Sequence, residues 1–355
     1  VRYFVPEDVN GHAERAVRAM AMDTLIRACI VTAHGKLNPN SSTRAFASGR
    51  WGSEEAHNVE NVLKAASAPA ATSTVGWAKE LSPIVVAFLT NLVPMSAGAD
   101  LLGRALGLSF DGAGQINLPM VTTPLADFVG EGQPIPVVNG VASIQATLVP
   151  YKFSVITVLS RELIEHANAE PLVRNALLQS TGPALDRRLF DNVAGSTVRP
   201  AGLLYGLTPL TPAATTGGKG EAMTEDLQAL LSAVAPVAGN SQIVLICAPG
   251  QAVSIKLRTF DSFDYPILVS GALAAGTVIA VATNAIVSAS DAAPAIDTTR
   301  TASMQFNDSP SGDLMTGGTV IAAFQNDVVG LRLKWPLSWS VRDARGIAFM
   351  TGVSW

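Results

Sequence analysis

Charge is what this sequence most lacks. Asp, Glu, Lys and Arg make up only 15% of its 355 residues, against roughly 25% in an average soluble domain. A surface built to meet water alone would carry more, so other protein is expected to cover much of it. The few charges nearly balance, at a formal net of -4, so there is no basic excess of the kind that direct nucleic-acid binding demands. Two cysteines, Cys29 and Cys247, can build neither a disulfide framework nor a four-thiolate zinc site, and they fit a reducing compartment.

Catalytic constellations are equally thin. The four histidines, His12, His34, His57 and His166, form no H-E-x-x-H or H-x-x-x-H pair, which argues against a metal site. The stretch VGEGQP, residues 129–134, lacks the third glycine of a dinucleotide-binding turn and leads into a hairpin pattern. GGKGEAMT, residues 217–224, lacks the spacing that wraps a phosphate and reads as a mobile loop. There is no G-x-S-x-G elbow. Glu162 and Glu165 sit on a short predicted helix with nothing to pair them across a cleft, so they read as surface or intersubunit ion-pair formers. No cofactor is indicated, and an enzyme is left without support.

The opening VRYFVPEDVN lacks the apolar core of a signal peptide. Because the chain begins at Val1 and not at Met, any proteolytic cut is expected to lie upstream of it. One uncharged run, residues 266–290, is long enough to span a bilayer. Gly271, Gly276 and the β-branched texture of GTVIAVATNAIV favour buried strands joined by turns instead.

What is present is apolar: 48% of the chain, heavy in Ala, Val and Leu. Its length suits two or three compact units. Apolar residues at helical spacing predict an amphipathic helix over residues 11–31, and Ser53 as N-cap, with Glu54 and Glu55 in the first turn, predicts a second to about Ala66. AASAPAATST, residues 65–74, reads as a linker or extended arm, and residues 75–108 as short helices broken by Pro83, Pro94 and Gly98. Strand-like runs at 135–138 and 142–148 flank Asn139-Gly140, a strong hairpin signal. KFSVITVLS then predicts a buried strand, and Ser160 a cap for the helix that follows.

The best long helix is predicted over residues 168–193, with Leu172, Ala176, Leu177, Ala184, Leu185 and Leu189 as its stripe and a bend at Pro183. Residues 211–224 read as a loop. A helix of about a dozen residues is expected from Thr224, then alternating strand-like runs to Ile286, and three β-rich runs over 320–355. In the last of these regions GLRLKWPLSWSVRD, residues 330–343, sets Trp335 and Trp339 among Arg332, Lys334 and Arg342. Alone it invites a ligand site with cation-π contacts. In context it is expected to be a core strand, interrupted at Pro336, whose basic side meets Glu162 and Glu165.

The run ADFVGEGQPIP through ATLVPYKFSVITVLSRELIEHA to EPLVRNALLQSTGPALDRRLFDN, residues 126–192, resembles the major capsid proteins of tailed bacteriophages with the Hong-Kong-97-type fold. AAFQNDVVGLRLKWPLSWSVRDARGIAFMTGVSW is similar to that family's closing segment. The resemblance covers residues 75–355 and implies an α+β fold. It implies an N-arm over 75–125, an E-loop hairpin over 126–151, a peripheral domain from 152–200 with 320–355, and an axial domain over 201–319. Residues 1–74 lie outside it and are expected to remain as a helical extension.

The function implied is structural: many copies forming pentamers and hexamers of an icosahedral head that encloses double-stranded DNA without binding it specifically. Portal, scaffold, maturation protease and decoration proteins are the further partners implied. The place implied is the virion, assembled in the host cytoplasm without a membrane. Contacts between copies are expected at Asp127, Phe128, Glu131, Lys152, Arg161, Glu162, Glu165, Trp335 and Arg342. The family branch that crosslinks its shell uses an E-loop lysine, and residues 126–151 contain none, so a non-covalent shell is expected. An encapsulin-type compartment of the same fold is the nearest alternative, and a soluble α/β hydrolytic enzyme a remote one.

Overall fold

The computed structural model describes residues 23–24, 26–39, 41–65, 92–110, 114–121, 141–162, 169–214, 216, 218–259, 263–290, 295–305 and 320–355. In chain order, the first half carries helices α1 (residues 26–37), α2 (Thr43–Trp51), α3 (Ser53–Ala65) and α4 (Ala97–Arg104). Strands β1 (Leu106–Ser109), β2 (Ile116–Val121), β3 (Val141–Leu148) and β4 (Tyr151–Ser160) precede the long helix α5 (Ala169–Leu189). Then come α6 (Lys219–Ala238), β5 (Ile243–Cys247), α7 (Pro249–Thr259), β6 (Ile267–Val269), β7 (Val278–Ala282) and β8 (Ile286–Ser290). The chain closes with β9 (Ala295–Thr299), β10 (Ser303–Gln305), β11 (Val320–Ala322), β12 (Val328–Val341) and β13 (Ile347–Met350). Helices and sheets are mixed, as the α+β expectation requires.

Contacts divide the chain into two units. The first comprises residues 1–103, 152–186 and 291–336, and the second residues 104–151, 187–290 and 337–355. This partition differs from the expected one at both ends of the closing segment. Residues 337–355, expected with the peripheral domain, join the second unit because β13 pairs antiparallel with β7 and Trp355 packs in that unit's core. Residues 291–319, expected with the axial domain, join the first because β9 pairs with the opening half of β12.

In the first unit, Ser42 caps α2 by accepting the Ala45 N–H at 3.3 Å. Ser53 is the first residue of α3 and not its cap. Gly52 precedes it at φ 93, where a side chain would strain the backbone. Arg27 and Glu55 pair at 2.8 Å, and the His34 and Phe46 rings stack with centroids 3.7 Å apart. Arg300 donates to the carbonyls of Lys36 and Leu37 at 2.7 and 3.0 Å, which satisfies the C-terminal end of α1.

Helix α5 buries Val173, Leu177, Thr181, Leu185 and Leu189, a four-residue spacing, while Ala184 is exposed and so leaves the expected stripe. The helical backbone continues through Pro183. At Gly182 a Cβ would lie 2.9 Å from the Met95 carbonyl oxygen, so only glycine admits that approach. Strand β4 alternates between half-buried and exposed residues as far as Thr157, with Ile156 61% exposed, and buries only Leu159, so it is not the buried strand expected.

The second unit is organised on the sheet β13-β7-β5-β6, in which only the β5–β6 pair is parallel. Every residue of β5 and β7 is buried, as continuous apolar runs such as IVLIC and VIAVA require. Helices α6 and α7 supply Leu227, Leu230, Val234, Ala252 and Ile255 to the same core as Leu245, Ala280 and Trp355. Each large aliphatic side chain buried there stabilises by about 1.5–3 kcal/mol. The uncharged run of residues 266–290 resolves into β6, β7 and β8. Among the described residues, no helix is long and apolar enough to cross a membrane.

Two helical stretches differ from expectation here. Helix α6 begins at Lys219, ahead of the expected Thr224, because Ala222 and Met223 are buried in the core and pull KGEAMT, residues 219–224, into helical register. Helix α7 was hidden among strand-like runs, since its PGQAVSIKLRT sequence buries only Ala252 and Ile255. Strand β3 pairs with β2, a run not marked as a strand from sequence. The Asn139-Gly140 turn, the VGEGQP stretch at residues 129–134 and the strand expected at 135–138 lie outside the described residues.

Strand β12 changes partner midway. Gly330–Lys334 pair with β9, and Leu337–Val341 with β8. Pro336 sits between the two ladders, so its missing N–H falls where β12 passes from β9 to β8.

Candidate assembly surface

Of the residues expected at contacts between copies, the structure withdraws one and qualifies others. Trp335 is fully buried within its own chain, so its indole is core and cannot touch a neighbour. Arg342 is half-buried and its Nη1 faces the Asn284 carbonyl at 3.5 Å. Lys152 and Glu162 are exposed. Arg161 lies 4.0 Å from the Asp327 carboxylate, and its backbone N–H donates to the Asp327 carbonyl at 3.2 Å. Asp127, Phe128, Glu131 and Glu165 lie outside the described residues.

The basic side of residues 330–343 meets an acid other than the expected pair. Arg332 and Lys334 close on Asp297 of β9 at 2.9 and 2.8 Å. Cross-strand register dictates this, since Arg332 stands directly opposite Asp297. The hydrogen bond from Lys334, with Arg332 beside it, holds the Asp297 carboxyl below the usual carboxylate range. Trp339 donates its indole N–H to the Ala201 carbonyl at 2.8 Å, which makes it a brace and not a ligand platform.

Among the described residues no group of His, Cys, Asp and Glu is arranged to hold a metal ion. Burial pushes the thiols of Cys29 and Cys247 up to about 12, so both stay protonated at neutral pH and are poor nucleophiles. The buried carboxylates are committed to structure. Asp186 accepts from Ser96 and from the Ala97 and Gly98 N–H groups at the start of α4. Asp226 accepts from Ala213 N–H and the Trp355 indole.

Apolar exposure is the surface's distinctive property. Single exposed hydrophobics are ordinary, but on α7 Val253 and Leu257 stand one helical turn apart and are 56% and 67% exposed. In the same unit a groove of about 360 Å³ runs between α6 and the C-terminal end of α7, lined by Met223, Leu227, Leu231 and Phe263 with Thr224, Gln228, Ser232 and Thr259. Sequence reasoning missed both features, because it had not marked α7 as a helix and had started α6 too late. The i, i+4 pair of Val253 and Leu257, flanked by Lys256 and Arg258, was the available signal.

No protein-family model matches the chain. The chain is similar to the capsid polyprotein of Pseudomonas phage PAJU2, at 26% identity over 326 residues. The match covers 83% of this chain and 48% of that polyprotein, so the chain spans about half the length of the curated relative it matches. Among solved structures, one from Mycobacterium phage Adephagia gives a TM-score of 0.46 at 18% identity, covering 72% of this chain and 89% of that one. One from Mycobacterium phage Cain gives 0.47 at 16%, covering 73% and 91%. The capsid of an empty GTA particle gives 0.46 at 11%, covering 73% and 91%. These last likenesses are weak in both sequence and superposition.

Proposed function

We propose that this chain is the major capsid subunit of a phage-type head, a structural protein without a reaction of its own. The observation that carries the reading is its relation to a capsid polyprotein across 83% of its length. Low charge and apolar side chains left exposed on a helix support it, because obligate assemblies gain their burial from neighbouring copies. The shell would be built of pentamers and hexamers and enclose double-stranded DNA, with the chain residing in the virion. Portal, scaffold, protease and decoration proteins are its further partners on this reading.

The layout follows the Hong-Kong-97-type plan. Residues 75–125 form the N-arm, 126–151 the E-loop, 152–200 with the first part of 320–355 the peripheral domain, and 201 onward to about 290 the axial domain. The antiparallel pairing of β2 with β3, on either side of residues 122–140, supports the E-loop reading and draws the last part of the N-arm segment into the base of that loop. The placement of β13 and Trp355 in the core of α6 and β7 supports assigning the last residues to the axial domain. One chain then fits non-identical environments by adjusting its arms around rigid units.

Negative-stain microscopy of the purified chain, combined with sedimentation, tests this. Closed shells or capsomers are the expected result, and a chain that stays monomeric or dimeric under all assembly conditions overturns it. Denaturing gels of such shells should give one band at the chain's mass, because residues 126–151 contain no lysine to crosslink.

A further inference from the structure

The second unit presents two surfaces of opposite character on its two outer helices. The ridge on α7 is apolar and basic: Val253 and Leu257 are exposed one turn apart, and Lys256 lies beside them. The groove along α6 is lined by Leu227 and Leu231, and the same helix exposes Glu221 and Glu225. Those two carboxylates are four residues apart, a like-charge spacing that is unfavourable within one helix, and a cation of the same chain, Arg258 of α7, places its guanidinium beside Gly220 at that turn. Among the described residues, Lys256, Glu221 and Glu225 form no ion pair.

We infer that the α7 ridge of one copy docks on the α6 groove of the next, with Lys256 facing the Glu221 and Glu225 carboxylates. The occupant is a second copy because one chain carries both complements, apolar ridge to apolar groove and cation to anions. Ridge and groove are different surfaces, so the contact is head-to-tail, and repetition of a head-to-tail contact generates a ring where the rotation closes. The proposal rests on the capsid reading and deepens it, by naming the side chains through which copies join within a capsomer. The desolvated apolar centre would supply the affinity, and the rim charges the register and encounter rate.

The test uses the full chain and reads the fraction assembled, by sedimentation and negative-stain microscopy. Circular dichroism checks that each variant is folded. Leu257→Asp replaces a side chain that is 67% exposed, so the fold tolerates it, and assembly should fall at least about tenfold, a change of about 1.4 kcal/mol. Lys256→Glu and Glu225→Lys should each lower assembly, and the double variant, with both signs reversed, should recover most of it. Folded Leu257→Asp that assembles like the parent, or a double variant no better than either single one, overturns the contact. A parent chain that forms no shell overturns the capsid reading and this contact together, whereas parent shells indifferent to Leu257→Asp overturn the contact alone.

Discussion

The indole N–H of Trp355 donates to the Asp226 carboxylate at 2.7 Å, tying the last described residue to a helix 129 positions earlier. Asp226 also accepts the Ala213 N–H at 2.6 Å, and both Asp226 and Trp355 are buried. One carboxylate therefore holds the closing segment and the stretch before α6 against the same sheet. Asp226→Ala leaves both donors buried and unsatisfied and should destabilise by about 2–4 kcal/mol. Trp355→Phe keeps much of the packing and should lose less, about 1–2 kcal/mol. Denaturant midpoints of the two variants give the comparison, and an Asp226→Ala chain as stable as the parent would show that water replaces the carboxylate.

Asp186 performs a similar task between α5 and α4. Its carboxylate takes the Ala97 N–H at 3.2 Å and the Gly98 N–H at 2.9 Å, so a side chain about ninety positions away serves as the N-terminal cap of α4. Asp186→Ala should cost about 2–3 kcal/mol and free the first amides of α4. Hydrogen exchange resolves this directly: amides 97–100 should lose protection before those of β5 do. Equal protection of these amides in the parent and in Asp186→Ala would refute the cap.

Asp297 makes stability depend on acid. Its carboxyl is held below the ordinary range, first by Lys334 and then by Arg332. A depressed folded value means that the contribution is full above the unfolded carboxylate pKa of about 4 and is lost as pH falls through the lower folded value. The groups are half-exposed, so the effect is small. Asp297→Asn should lower the denaturant midpoint slightly at neutral pH, and the gap to the parent should close below about pH 4. A gap that widens on acidification contradicts the pairing.

Cys29 and Cys247 should resist thiol reagents until the chain unfolds. Both are buried, and burial drives each thiol up to about 12, so thiolate is scarce at neutral pH. Labelling with an uncharged reagent should be slow in native protein and immediate in denaturant. Fast native labelling at either position would mean that its surroundings open.

The sequence alone carried the order of elements wherever a pattern had one physical reading. The apolar run of residues 266–290 was legible as strands because glycines and β-branched residues break it at strand length, and β6, β7 and β8 appear there. The long helix before Val193 and the three closing β runs were legible for the same reason. The resemblance to phage capsid proteins was legible in the order of motifs, and the similarity to a phage capsid polyprotein agrees with it. Side-chain destinations were not legible. Trp335 and Arg332 read as a possible ligand surface until register placed one in the core and the other opposite Asp297. Helix α7 was illegible because a short helix with two buried residues leaves little periodic trace, and α6 began early because burial of Met223 outweighs the low helix propensity of Gly220. Local propensity is written in neighbouring residues, whereas cross-strand partners, long-range caps such as Asp186 and the tether of Trp355 arise only when segments scores of residues apart are packed together.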